Sequence, residues 1–264
     1  SNRKADPMLQ GKTIIVTGAA SGIGAATAAL VSSHGAEVIS VDINVPDALV
    51  GRFMQADLAD RSSIDRLVAS LPAGAHGLAN IAGLPPTRPA DAVLKVNLVG
   101  LKYLTNQLVP KLSDGASIVN LASLAGLGWA ESKDAVLESA ALDFDEVSAF
   151  CARHGIAGGR SYFFSKEALI VWTMQNRWTW RSRGIRMNAV SPGPVDTPIL
   201  KDFIATLGAR AEEDMKTMDR PGKPGDIAPV VAFLLSDSSA WIRGTNVPVD
   251  GGMYSNVLCG MHGL

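Results

Sequence analysis

Tyr162 and Lys166 stand four positions apart in a stretch, 162–180, whose pattern predicts a helix, so both side chains point to one face. An ammonium beside a phenol favours the phenolate and draws a tyrosine below its free pKa of about 10. Such a tyrosine can take a proton from an alcohol near neutral pH. Exposed Tyr/Lys pairs at this spacing are common, so the pair needs company, and two further residues supply it. Ser123 follows the run 117–121, which reads as a strand, at the edge where open α/β sheets bind ligands. Its hydroxyl can hold a substrate oxygen and stabilise charge there. Asn97 lies in KVNLVG, inside a helical pattern that asparagine disfavours, which suggests a specific task such as holding a water; the alternative is a satisfied core asparagine.

A second set belongs to phosphate chemistry. Thr17-Gly18-Ala19-Ala20-Ser21-Gly22-Ile23-Gly24 joins a β-branched run, 13–17, to an alanine-rich helical run, 22–31. Gly18 permits a sharp exit from the strand, and Gly22 and Gly24 permit a close approach of backbone and ligand. The free N–H groups of Ser21, Gly22, Ile23 and Gly24 at the helix start then suit a pyrophosphate. Strand before and helix after are the context such a glycine trio requires. Asp42, followed by Ile43, ends the next strand, where a carboxylate accepts from both hydroxyls of an adenosine ribose and repels a 2′-phosphate. No arginine closely follows Asp42 or precedes Gly18 to neutralise that phosphate, which favours NAD over NADP. Asp57-Leu58, at the next strand end, is positioned for an adenine amino group.

The elements that must hold these residues alternate. Strands are expected at 13–17, 37–41, 53–56, 77–81, 117–121, 185–190 and 246–249, and helices at 22–31, 62–71, 93–112, 162–180 and 227–235. Strands separated by helices imply a doubly wound parallel sheet covered on both faces, hence an α/β fold of Rossmann type. No repeat, low-complexity tract or linker interrupts the pattern, so residues 1–264 read as a single domain.

Composition narrows the classes further. The chain has 264 residues, 47% hydrophobic and 19% charged, with a formal net charge of −1, so no basic stripe is offered to nucleic acid. Cys151 and Cys259 lack metal-ligand spacing, which implies no metal site and a reducing compartment, each cysteine being read as a small buried hydrophobe. Residues 1–12 are polar and lack the apolar stretch of a secretory signal, and no run of ~20 apolar residues is present to span a membrane. A cytoplasmic location is the default expectation.

Taken in order, TGAASGIG, Asp42, ADL at 56–58, NIAG at 80–83, VN at 96–97, Ser123, Tyr162/Lys166, RMNAVSPGPVDTP at 186–198 and VDGG at 249–252 resemble the short-chain dehydrogenase/reductase family from about residue 9 to residue 252. The resemblance implies a seven-stranded sheet and hydride transfer between a nicotinamide and an alcohol or carbonyl carbon. It implies that Asn97 holds a relay water, Ser123 orients substrate, Tyr162 is the acid/base, and Lys166 grips ribose and tunes Tyr162. It also assigns Asn80, Ala82, Gly83, Pro192, Gly193, Val195 and Thr197 to the cofactor. A dinucleotide-sensing protein on the same fold should have lost Tyr162 or Lys166. An epimerase or dehydratase relative would carry a larger C-terminal substrate domain.

One departure stands out: Ser123 and Tyr162 are 39 positions apart (123 to 162), wider than the family's usual spacing. The extra stretch, about 129–159, reads as helical, with Asp143 and Glu146 as a capping box and Leu137, Ala141, Phe144, Val147 and Cys151 as an apolar stripe. It resembles an insertion-bearing subgroup acting on coniferyl-type aryl alcohols or 3α-hydroxysteroids. Trp129, Phe163, Ile199, Leu200 and Phe203 flank the matched positions and are candidates for an apolar pocket around a ring-bearing alcohol or carbonyl substrate. The stretch 199–207 reads as a lid. Trp172, Trp178 and Trp180 read as core or subunit contacts on the long helix. If the insertion covers the 98–112 and 162–180 helices, a homodimer forms through 227–235 and 246–250; otherwise both surfaces are free for a homotetramer.

Overall fold

The computed structural model describes residues 7–264, apart from the side chains of residues 210 and 211; the first half of the polar start read above, residues 1–6, lies outside them. Strands β1 (Thr13–Thr17), β2 (Glu37–Asp42), β3 (Arg52–Gln55), β4 (Ala75–Asn80), β5 (Leu112–Leu121), β6 (Arg186–Pro192) and β7 (Asn246–Val249) form one sheet in the order β3-β2-β1-β4-β5-β6-β7. Every pairing is parallel. Side chains alternate across the sheet, as a two-residue period requires. Ile15, Ile39, Leu78 and Ile118 face one core, whereas Ile14, Val16, Val38, Ala79 and Val119 face the other.

Helices α1 (Gly22–Ser33), α2 (Arg61–Ser70), α3 (Ala90–Leu94), α4 (Leu101–Leu108), α5 (Lys133–Glu138), α6 (Val147–His154), α7 (Arg160–Gln175), α8 (Leu200–Leu207), α9 (Ala209–Thr217), α10 (Pro224–Leu235) and α11 (Met253–His262) complete the chain. Ala28 and Val31 of α1 and Ile227 and Val231 of α10 fill the second core, while α2, α4, α6 and α7 contribute to the first. Among the described residues no helix is long and apolar enough to cross a membrane.

Several expectations need correction. The helix read over 93–112 is broken into α3, a wide π turn at Lys95–Gly100, α4 and a tight turn at Val109–Lys111. A Cβ at Gly100 would lie 1.9 Å from the Leu58 carbonyl oxygen, so the backbone there is pressed against the β3–α2 connection. Leu112 opens β5, which runs through Asp114-Gly115 instead of starting after it. Helix α7 stops at Gln175, where the Asn176 amide donates back to the Trp172 carbonyl (2.8 Å). Trp178 and Trp180 therefore lie beyond it, the first exposed and the second against the core. The 199–207 segment is helix α8, followed by α9, and α11 was not anticipated after Gly252. Cys259 is exposed, although Cys151 is buried as expected.

The insertion is helical and lies on α4 and α7. Asp143 and Glu146 form the expected capping box. Phe144, Val147 and Cys151 are buried, but Leu137 and Ala141 are exposed, and Val136 and Phe150 take their places inside. Phe144 meets Tyr103 edge-on at 5.8 Å, with Arg61 stacked over both rings and paired with Asp143. Arg160 clamps the buried Glu167 with both guanidinium arms (2.9 and 2.8 Å) and donates to Ser132 Oγ (2.7 Å), joining the insertion to α7. Lys102 of α4 is 9% exposed and donates to the carbonyls of Ser139 (3.2 Å) and Ala140 (2.9 Å).

Burial lowers the Lys102 pKa from 10.5 to about 8. Between those values an unfolded chain binds more proton than the folded one, so this site's contribution to stability rises as pH climbs from about 8 towards 10.5. In urea unfolding, the stability of the wild type relative to Lys102→Met should therefore increase from pH 7 to pH 10. A difference that stays flat contradicts the assignment.

Candidate functional site

The sheet changes winding direction between β1 and β4, whose carboxyl ends part to leave a crevice at the topological switch point. The Thr17 hydroxyl fixes that junction by accepting from the N–H groups of Ile81 (3.0 Å) and Ala82 (3.1 Å). A Cβ on Gly18 would fall 2.7 Å from Ala82 Cα, and one on Gly24 1.9 Å from the Gly18 carbonyl oxygen. Both approaches are backbone to backbone, so only glycine fits.

The crevice opens into a cleft of about 400 Å³. It is lined by Gly18, Ser21, Gly22, Ile23, Gly24, Asp42, Ile43, Asp57, Leu58, Ala82, Gly83, Thr197 and Ile199 among the residues expected from the sequence. Asp42 Oδ2 accepts from Ala20 N (3.0 Å) and Oδ1 from Asn44 N (2.9 Å), which fixes the carboxylate beside the glycine turn. Asp57 Oδ1 accepts from Ala59 N (2.8 Å). Thr197 stands opposite Gly22, its methyl 3.5 Å from where a Cβ would be. Backbone N–H groups at a helix start, two anchored carboxylates and a cradle that any added Cβ would fill fit a dinucleotide.

Ser123, Tyr162 and Lys166 converge beside that cleft. Ser123 Oγ accepts from Ala125 N (3.1 Å), and its hydroxyl acts on the Tyr162 phenol to draw its pKa down. Lys166 Nζ lies 5.4 Å from the centre of the Tyr162 ring and donates to the Leu121 carbonyl (2.8 Å). Phe203 of α8 packs edge-on against the Tyr162 ring at 4.8 Å, and Phe163 lies 6.5 Å from it. Tyr162 is consequently 8% exposed.

Burial decides the electrostatics here, and it reverses the expected direction for the phenol. Desolvation pushes the Tyr162 pKa above its usual 10, and the Ser123 hydrogen bond only partly offsets it. The same burial lowers Lys166 to about 8. In this state the ammonium is turned to a carbonyl, not to the phenol oxygen.

Other expected residues sit elsewhere. Asn97 is buried on the π turn, where its Oδ1 accepts from Leu84 N (2.7 Å) and its Nδ2 donates to Leu84 O (3.1 Å). That amide clamps both backbone groups of Leu84. Asn80 points away from the cleft and donates to Thr105 Oγ1 and Asn120 Oδ1 (2.9 Å each). Pro192 and Val195 are buried, Val195 in the second core, and Gly193 is pressed to 3.0 Å of Asp250 Cβ where its own Cβ would be; none of the three lines the cleft. Trp129 packs against the Leu169–Ile170 cluster, and Leu200 opens α8. The cleft also takes in Asn44, Leu84, Arg88, Ala92, Val96 and Leu121, which were missed. Only the one-turn spacing of Ala92 and Val96 signalled any of them.

Two family models match the chain, one described as short chain dehydrogenase over residues 12–133 and one as enoyl-(acyl carrier protein) reductase over residues 146–254. The chain is 42% identical to a coniferyl-alcohol dehydrogenase of Pseudomonas sp. strain HR199, across 94% of this chain and 98% of that protein. It is 30% identical to a 3-alpha-hydroxysteroid dehydrogenase/carbonyl reductase of Comamonas testosteroni, across 91% and 95%. The structure superposes on a 3-alpha-hydroxysteroid dehydrogenase of Pseudomonas sp. B-0831 complexed with NADH at a TM-score of 0.80, with 28% identity and coverage of 93% and 98%.

Tyrosinate absorbance of the ligand-free protein, compared with Tyr162→Phe, tests the electrostatics. Tyr162 should contribute no ionisation below about pH 10; a difference appearing near neutrality contradicts the burial argument.

Proposed function

We take as premise that the chain belongs to the short-chain dehydrogenase/reductase family, oxidoreductases that use nicotinamide cofactors, and we propose that it is an NAD-dependent alcohol dehydrogenase or carbonyl reductase. The observation that carries the reading is the convergence of Ser123, Tyr162 and Lys166 at the sheet edge beside the cleft, with Lys166 one helical turn on and its Nζ 5.4 Å from the centre of the phenol ring. When bound, the nicotinamide supplies or accepts the hydride. Ser123 holds the substrate oxygen. Tyr162, kept protonated by burial, gives its proton to a carbonyl oxygen in the reductive direction. In the oxidative direction it takes the hydroxyl proton, and positive charge close to the phenol must then offset the desolvation. Lys166, charged at neutral pH, is the residue placed to supply part of that charge. Asp42 receives ribose hydroxyls and favours NAD over NADP.

The substrate class we favour is a ring-bearing aryl alcohol of coniferyl type, supported by the 42% identity and by the apolar side chains of Phe203, Phe163 and Ile199 near Tyr162 and the cleft. A 3α-hydroxysteroid is the second reading, supported by the 30% relative. The insertion covers α4 and α7, whereas Phe233 of α10 and Trp241, before β7, remain 38% and 94% exposed, which supports a homodimer through the α10–β7 surface.

Tyr162→Phe should abolish turnover while sparing NADH binding, and Asp42→Ala should raise the KM for NAD far more than that for NADP. Surviving turnover in the first variant, or equal effects in the second, removes the respective assignment. NADH formation should follow addition of aryl allylic alcohols; a response to 3α-hydroxysteroids alone discards the coniferyl-type reading. Light scattering should give a dimer, and a tetramer counts against the covered helical surface.

A further inference from the structure

Three charged side chains line the cleft: Asp42, Asp57 and Arg88. Both carboxylates have backbone N–H partners, whereas the Arg88 guanidinium has no ion-pair or hydrogen-bond partner among the described residues. Its loop is nevertheless held on three sides. Arg88 N donates to Pro85 O (3.2 Å), Asn97 clamps both backbone groups of Leu84, and Thr87 Oγ1 donates to Asp202 Oδ1 of α8 (2.6 Å). The last contact sets the position along the cleft. Helix α8 begins three residues after Thr197, and Thr197 faces Gly22 at the phosphate turn. The loop bearing Arg88 is thus tied to the same wall as Thr197, across from the glycine turn. That turn offers N–H groups and no cationic side chain, so a dianionic pyrophosphate lying on it would lack a full counter-charge.

We infer that Arg88 supplies that charge, closing over the pyrophosphate from the 84–89 loop while Gly22–Gly24 hold it from below. This rests on the reading of the cleft as a dinucleotide site. A guanidinium matches phosphate oxygens with paired, charge-assisted hydrogen bonds. Asn97 acquires a second consequence: by fixing Leu84 it fixes the root of the loop that carries Arg88.

Equilibrium binding of NADH, ADP-ribose and adenosine to wild type, Arg88→Gln and Arg88→Lys, at low and high salt, tests the inference, with melting curves to confirm that each variant is folded. Arg88→Gln should bind NADH and ADP-ribose roughly ten-fold or more weakly, from the loss of a hydrogen bond to a charged group. It should bind adenosine unchanged, and its NADH affinity should depend less on salt. Arg88→Lys should keep part of the affinity, and it carries the test should the glutamine variant not fold. Equal NADH binding by wild type and variants overturns the inference and leaves the dinucleotide reading standing. A wild type that binds none of the three ligands removes the dinucleotide reading itself.

Discussion

Two backbone segments meet at the carboxyl edge of the sheet more closely than any side chain allows. Gly18 leaves β1 against Ala82, which leaves β4, and Gly24 brings α1 onto the Gly18 carbonyl. The Thr17 hydroxyl locks the junction by accepting two N–H groups from the other strand's exit. From this contact the rest follows. α1 starts with its N–H groups directed into the crevice, the 82–84 backbone turns towards Asn97, and the cleft takes its floor. The sheet supplies the switch point, but the glycine contact is what makes it deep enough for a ligand.

Desolvation is the second force on the site. Tyr162 and Lys166 are both buried, and the Phe203 ring of α8 covers the phenol. In so dry a setting the neutral forms of both are favoured, and small changes in nearby charge move them far. A cationic ring beside the phenol, or a departing one, would then set the proton's direction. The insertion braces the helix that carries both residues. Arg160, Glu167 and Ser132 brace its first turn against α7, and Lys102 holds its middle to α4.

Much of this was legible in the chain itself. Alternating short apolar runs and amphipathic stretches placed all seven strands; the five between the edge strands β3 and β7 are the ones packed on both faces, where a strand has little choice of residue. TGAASGIG, Asp42 and the Tyr162/Lys166 pair could be read because turn geometry and helical spacing are local. The capping box at Asp143 was readable for the same reason. The rest was not local. The π turn arises where Gly100 meets Leu58, and β5 extends through Asp114-Gly115 because Leu112 pairs with Ala75. Arg88 enters the cleft through contacts with α8, which lies over a hundred positions away. The Tyr162 shift runs opposite to expectation because helical spacing reports the neighbouring ammonium but not the depth of burial. Asn80 and Asn97 matched family positions, yet their side-chain partners are backbone and core polar groups that a motif does not reveal.

The central claim is that the glycine junction between β1 and β4 builds a dinucleotide cleft with Tyr162 at its side. A crystal structure of the protein grown with NADH tests it most directly. The account predicts the phosphates against the Gly22–Gly24 turn, the adenosine ribose on Asp42, and the nicotinamide end beside Ser123 and Tyr162. A dinucleotide bound outside this cleft, or lying in it with its nicotinamide end away from Tyr162, contradicts it.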